Sequence, residues 1–385
     1  MRAKILIGAD IVPTKSNHTL FASGNREELI GEDLSALFDS SDYTVFNLEV
    51  PLTDSATPIV KWGVNLIAPT ATVAGIKAIN PHFFTLSNNH IMDQGVNGLY
   101  STMRILRENH IAYAGAGENL AKAAQPYIAE VKGIRVGIYC CAEHEFSIAE
   151  EHTPGANPFD PLESFDHVRA LRRECDRLIV LYHGGHEHYR YPSPMVRRFF
   201  RKFAMCGADY VVAQHTHCVG CMEQYEGSCL VYGQGNFLFD NADNEFWNTS
   251  LLLSIAINED GDTVEWIPLA KDGNRVRLAK GTAAEEILTG FQERSEEIVR
   301  PGAVEERYAR YAEEQLNSYL ALFFGRMRRW LPVRVLNRLC GRKLYTKYYD
   351  RSTRLAVRNY MECEAHREAI VEGVKLRIQS MIEEP

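Results

Sequence analysis

The sequence predicts an α/β protein with two sheets packed face to face and helices outside. Three observations point to it. Up to about residue 215 short apolar strands alternate with helical spacings, and after that hairpin signals dominate. Three consecutive early strands end in clusters of Asp, Glu, Asn or His, which chance polar loops rarely repeat. Near residue 284 glycine and strand signals nearly vanish, which leaves a helical tail.

In chain order, Lys4 to Gly8 reads as a buried strand with Asp10 at its end. Leu29 to Phe38 has the spacing of a short helix. Tyr43 to Phe46 is rich in strand formers and runs into Asn47-Leu48-Glu49, with Pro51 as a stop. Pro69 to Ile79 reads as a helix and Pro81 to Leu86 as a strand, followed by the polar loop Ser87 to Gly95. Val96, Leu99, Met103 and Leu106 share one helical face. Tyr127–Val131 and Arg135–Cys141 straddle Lys132-Gly133, a hairpin signal. The apolar run Leu178 to Tyr182 ends at His183-Gly184-Gly185-His186-Glu187-His188, where the glycines permit close backbone approach to a bound group. His186 and His188 read as exposed or supporting residues rather than ligands. Pro194 to Cys206 reads as an amphipathic helix whose Arg197, Arg198, Arg201 and Lys202 form a solvated face. Tyr210 to Ala213 leads to His215-Thr216-His217, two imidazoles at i and i+2 that a strand or its end aims to one side. Two further hairpins surround Glu226-Gly227-Ser228 and Asp260-Gly261.

Composition narrows the classes of function. At 385 residues, 45% apolar and 24% charged, the chain is globular. A net charge of −8 argues against a nucleic-acid binder. The apolar run Ile5-Leu6-Ile7 is too short for a signal peptide, and no stretch of about 18 apolar residues predicts a transmembrane helix. Nine cysteines make no disulfide framework, and free thiols in the cytoplasm are the expectation. Cys218 and Cys221 form a C-x-x-C without a second such pair, so they read as packing residues rather than a zinc knuckle.

The polar strand ends collect Asp10, Glu49, Asn89, His183, His215 and His217. Hard oxygen and borderline nitrogen donors without thiolate suit two first-row divalent ions, Mn, Fe or Zn, better than one structural zinc. Two such ions clamp an oxyanion and generate hydroxide at neutral pH, and a carboxylate can bridge them. His90, next to Asn89, is the candidate acid for the leaving group, with Asp93 orienting it. Lys61, Asn47 and Glu187 are the candidates for substrate contact.

The ordered set Asp10, Asn47-Leu48-Glu49, Asn89-His90, His183-Gly184-Gly185-His186-Glu187, His215-Thr216-His217 and Gly235-Asn236-Phe237 resembles the CapA family of poly-γ-glutamate capsule synthesis proteins. That family belongs to the calcineurin-like metallophosphoesterase superfamily. The resemblance covers roughly residues 4–270. It implies a four-layer α/β/β/α sandwich with a dimetal site at the strand ends. It also implies that Asp10 and His217 serve one metal, that Asn89, His183 and His215 serve the other, and that Glu49 lies between them. Three positions depart from the superfamily pattern. Asp10-Ile11-Val12 stands where Asp-x-His is frequent, Glu49 stands where Asp is usual, and Gln214 stands where Gly is common.

Two domains are expected, residues 1–283 with the CapA-like fold and residues 284–385 as a helical extension. The extension is first acidic, with nine Glu from Glu285 to Glu314, and then basic, with eleven Arg or Lys from Arg326 to Arg358. Residues 319–358 suit peripheral contact with a membrane, at its inner face, or with a membrane synthase. The expected function is dimetal-dependent hydrolysis, most simply of a phosphoester, in capsule or poly-γ-glutamate synthesis. The alternative is an assembly factor that binds an anionic polymer or a synthase and uses the metal fold as a scaffold.

Overall fold

A computed structural model gives the fold and describes residues 2–239 and 244–383. Its described residues form sixteen strands. They are β1 (Ala3–Val12), β2 (Tyr43–Leu48), β3 (Phe83–Thr85), β4 (Ala112–Ala114), β5 (Ala116–Gly117), β6 (Tyr127–Val131), β7 (Ile134–Ala142), β8 (Gly155–Ala156), β9 (Arg177–His183), β10 (Tyr210–Gln214), β11 (Met222–Tyr225), β12 (Ser228–Val231), β13 (Asn236–Phe239), β14 (Thr249–Ile257), β15 (Thr263–Asp272) and β16 (Arg275–Leu278). One sheet runs β16-β15-β14-β1-β2-β3-β4, with β13 also paired to β1. The other runs β11-β12-β10-β9-β7-β6, and β5 with β8 makes a small ribbon.

Period-two alternation explains how the two sheets meet. Ile5 and Ile7 of β1 point into the same apolar layer as Ile179 and Leu181 of β9 and Val212 of β10. Leu6 points the other way, into a layer with Leu29, Leu34, Phe38, Leu99 and Leu106 from the outer helices. On the far side, Leu178, Val180 and Val211 pack with Val168, Val196, Phe200 and Phe203. Helix, sheet, sheet and helix therefore stack as the expected α/β/β/α sandwich.

The chain divides into two compact units, residues 1–305 and 306–385. The change in composition at residue 284 falls inside helix Thr282–Ile298, which belongs to the first unit. Its Ile287 and Phe291 are buried with Val219 and Leu251, and the Phe291 and Trp266 rings lie 4.6 Å apart. The second unit is helical among its described residues.

One expectation needs correction. Helix Pro194–Met205 is capped by Ser193, whose side chain accepts from the Val196 amide at 3.1 Å. Its arginines are not all a solvated face. Arg197 and Arg201 reach Glu223 of β11 at 3.0 and 2.7 Å, because that carboxylate is buried and needs cationic partners. The His pair follows the end of a strand, one of the two placements expected: β10 ends at Gln214, and both histidines sit in the loop after it.

Candidate metal centre

Five parallel strands, β1, β2, β3, β9 and β10, deliver the site at their carboxyl ends, where open α/β sheets place ligands. In β1 the register against β2 slips between Ile7 and Asp10, so that Asp10 lies opposite Asn47. Such an irregularity re-aims a side chain. Gln214, one of the three departures, is buried and donates to the Gly8 carbonyl at 3.2 Å, which ties β10 to β1 beneath the site. His215 and His217 have φ of 90° and 52°. This left-handed backbone is costly for a residue with a Cβ and is found where surroundings enforce it for function. The surroundings here include Arg294, which donates to the carbonyls of Gly220 at 2.8 Å and Val219 at 3.1 Å, and Arg190, which also donates to Val219.

The structure brings all six predicted ligands together, and all are buried. His183 Nε2 lies 3.0 Å from Asn89 Oδ1 and 3.3 Å from Glu49 Oε1. The His183 and His215 ring centres are 4.8 Å apart, and those of His215 and His217 are 5.8 Å apart. His217 Nδ1 lies 3.5 Å from Asp10 Oδ2 and 2.8 Å from Asn236 Oδ1. One ligating atom each from Glu49, His215 and His217 falls within 4.8 Å of the others.

Metal fit can be tested on the atoms left over. Asp10 Oδ2, Glu49 Oε2 and His215 Nδ1 are buried and make no hydrogen bond within the protein. Each such atom costs about 1–3 kcal/mol if nothing meets it. All three are electron-pair donors, so a cation satisfies them. The separations of 3.0 and 3.3 Å within the Asn89, His183 and Glu49 group also match the edges, roughly 3.0–3.4 Å, of a coordination polyhedron with bonds near 2.1 Å. The residues fit a metal.

The charges agree. Burial, with the neighbouring His183 and His217, pushes the His215 pKa well below the ordinary imidazole value, so it is neutral and able to ligate. Burial works against the Glu49 carboxylate, but His183, and behind it His217 and His90, hold it ionised well below the usual range. Burial also opposes the charged form of His217; its contact with Asp10 and the Glu49 and Asp10 charges outweigh this and raise its pKa to about 9, so His217 has to release a proton to ligate.

The other predicted residues surround this cluster. His90 Nδ1 donates to Asp93 Oδ2 at 2.5 Å, and the Leu66 amide donates to the same oxygen at 2.6 Å. Lys61 forms an ion pair with the other Asp93 oxygen, and its Nζ lies 3.2 Å from His90 Nδ1. Lys61, expected at the substrate, is therefore buried against Asp93, since a buried carboxylate requires a counter-charge. Asn47 is also corrected. It is fully buried, donates to Asp10 Oδ1 at 2.8 Å and accepts from Asn88 at 3.0 Å, so it positions Asp10 rather than meeting substrate. Glu187 is exposed, and its charge favours the protonated forms of His188 and His217.

Sequence reasoning missed three supports, Glu145, Asn88 and Asn236, and read His188 as exposed or supporting. Glu145 accepts from Asn89 Nδ2 at 2.8 Å and so turns the Asn89 oxygen toward His183. Asn88 orients Asn47. Asn236 meets His217, and Gly235-Asn236-Phe237 was the signal for it. His188 accepts from Trp247 Nε1 at 2.7 Å, and the Trp247 ring lies 4.7 Å from that of His217. Val12, where the first motif departs, is buried and pairs with Phe239. Cys218 and Cys221 are free and buried, and burial lifts the Cys218 thiol to about 11. A surface cleft of about 850 Å³ bordered by Tyr100, Arg104, Arg107 and Lys122 shares no residue with the cluster and gathers none of its unpartnered atoms.

Two facing sheets with a buried carboxylate–imidazole cluster at their carboxyl ends define an α/β/β/α sandwich with a candidate metal centre. The chain belongs to the bacterial capsule synthesis protein family PGA_cap, whose model matches residues 5–241. It is 28% identical over 208 residues to the PGA biosynthesis protein CapA of Bacillus subtilis (strain 168), covering 53% of this chain and 55% of that one. It is 28% identical over 216 residues to the capsule biosynthesis protein CapA of Bacillus anthracis, covering 54% and 53%. The matches thus span about half the length of these curated relatives. A probable polyglutamine synthesis accessory protein of Mycobacterium tuberculosis is 26% identical over 277 residues, covering 66% and 73%. Among solved structures, a 5′-nucleotidase precursor from Thermus thermophilus is similar at a TM-score of 0.40 and 14% identity, covering 76% of this chain and 58% of that one.

Proposed function

We propose that the chain is a hydrolase dependent on two divalent ions, most simply a phosphoesterase, acting in the synthesis of a poly-γ-glutamate type capsule polymer. The reading is carried by one observation: six metal-competent side chains converge with three buried donor atoms unmet, beside a His–Asp pair. The names of the relatives from two Bacillus species support the capsule setting.

Asn89, His183 and His215 would hold one ion, Asp10 and His217 the other, with Glu49 between them. When bound, the ions supply positive charge for a phosphoryl oxygen and lower the pKa of water. The protein's own residues do the rest. Asn47 and Glu145 fix the directions of Asp10 and Asn89. Asp93, held by Lys61 and the Leu66 amide, binds His90 Nδ1 and leaves His90 Nε2 to pass a proton to the leaving oxygen. A γ-glutamyl amide is the alternative bond within the same chemistry.

The test is turnover of an aryl phosphate with added Mn. His215→Ala and Asn89→Ala are expected to abolish it while the fold survives by circular dichroism. Unchanged turnover in both would sink the mechanism. A second reading, an assembly factor of little or no activity that binds an anionic polymer or a synthase, is favoured by Val12, an apolar side chain where the first motif often has a ligand. Metal content separates the two: about two ions per chain after loading with Mn supports the hydrolase, and less than one, with polymer binding retained, supports the assembly factor.

A further inference from the structure

The second compact unit carries a feature that the metal centre does not use. Residues 315–349 contain eight Arg or Lys and no Asp or Glu, within a chain of net charge −8. Helix Leu331–Leu339 exposes Leu331, Val335, Leu336 and Leu339 by 66, 49, 48 and 79%. The spacing i, i+4, i+5, i+8 puts them on one stripe. Val333 and Asn337 turn away from it and are half-buried, and Asn337 Oδ1 accepts from the Leu344 amide at 3.1 Å. Just before the helix, Phe323, Met327 and Trp330 are each more than half exposed. Arg334 and Arg338, also exposed, lie one turn apart beside the stripe.

We infer that this helix, with Trp330 at its start, lies flat on an anionic lipid surface, the apolar stripe in the headgroup–acyl boundary and the arginines at the phosphates. Three occupants can be weighed. A soluble polyanion satisfies the arginines but leaves seven large apolar side chains in water. A second copy docked through the same helix brings a stretch of eight basic and no acidic residues against its like. An anionic bilayer meets both halves at once, since interfacial binding takes buried apolar area together with attraction to anionic headgroups. No helix among the described residues is long and apolar enough to cross a membrane, which agrees with a helix lying in the interface.

The experiment is co-sedimentation of the full chain with vesicles of phosphatidylcholine alone or with added phosphatidylglycerol. Binding is expected only with phosphatidylglycerol, with a blue shift of tryptophan emission that Trp330→Phe removes. Val335→Ser/Leu339→Ser and Arg334→Glu/Arg338→Glu should each weaken partition about tenfold or more. All four side chains are exposed, so unchanged circular dichroism is expected and serves as the folding control. Recovery of the wild type in the supernatant overturns the inference. So does full binding by the Val335/Leu339 variant with loss by the arginine variant, which would make the surface a general polyanion site. His215→Ala should bind vesicles as the wild type does, so failure here and failure of the hydrolase reading are separate results.

Discussion

His90 lies half-buried, with one ring nitrogen bound to Asp93. If it protonates the leaving oxygen, its worth depends on how badly that oxygen needs a proton. His90→Ala is therefore expected to slow an alkyl phosphate about a hundredfold and a nitrophenyl phosphate far less. An equal loss on both would remove the acid role. Glu145 acts at one remove, through the Asn89 amide. Glu145→Ala should weaken Mn binding about tenfold by titration calorimetry, and Glu145→Gln, which keeps an acceptor, should restore most of it. The candidate ligands themselves were legible because Asp, Glu, Asn and His at successive strand ends announce their chemistry by type alone. Asn47, Glu145 and Gln214 were misassigned or passed over because their roles lie in partners 37, 56 and 206 positions away. Lys61 shows the same limit: whether a lysine meets substrate or a buried carboxylate depends on a loop with no regular pattern.

Among the elements, alternation in β1, β9 and β10 was readable, since one run of apolar residues has to serve two layers. The irregularity at Gly8 and Ala9 was not, because a slip in register leaves hydrophobicity unchanged. The helix before β10 illustrates a further limit. Its arginines looked solvated from spacing alone, yet two of them hold Glu223, which is 2% exposed and also accepts from the Tyr232 hydroxyl at 2.7 Å. Burial works against this carboxylate, but Arg201, Arg197 and Tyr232 outweigh it and lower its pKa. A lowered folded pKa gives stability that is full above the unfolded carboxylate value, about 4.3, and lost as pH falls through the folded one. Glu223→Gln should therefore cost about 3 kcal/mol by urea unfolding at neutral pH, because it strands two guanidinium groups. The gap from wild type should hold down to about pH 5 and close below about pH 4. A gap independent of pH would mean that packing, not charge, is what Glu223 supplies.

For the whole molecule, net charge conceals the distribution that matters. The overall −8 contains a stretch of eight positive and no negative residues, so bulk electrostatics speaks neither for nor against a local anionic partner. The basic stretch was legible in the sequence. The face it shares with the apolar stripe was not, because only the structure shows which side chains turn in and which remain in water. Vesicle binding should fall as salt is raised from about 0.05 to 0.5 M, as screening shortens the reach of the arginines. The Arg334→Glu/Arg338→Glu variant should show a weaker salt dependence than the wild type. Identical salt profiles would place the relevant charges elsewhere.

The left-handed backbone at His215 and His217 makes the site a liability to the fold that carries it. Each costs of order 1–3 kcal/mol, and glycine occupies the same conformation freely. Mutational drift toward glycine at these positions would therefore be rewarded in thermal stability as soon as selection for ligation relaxed. His215→Gly is expected to melt higher than the wild type in chelator, and to lose that lead when Mn is supplied.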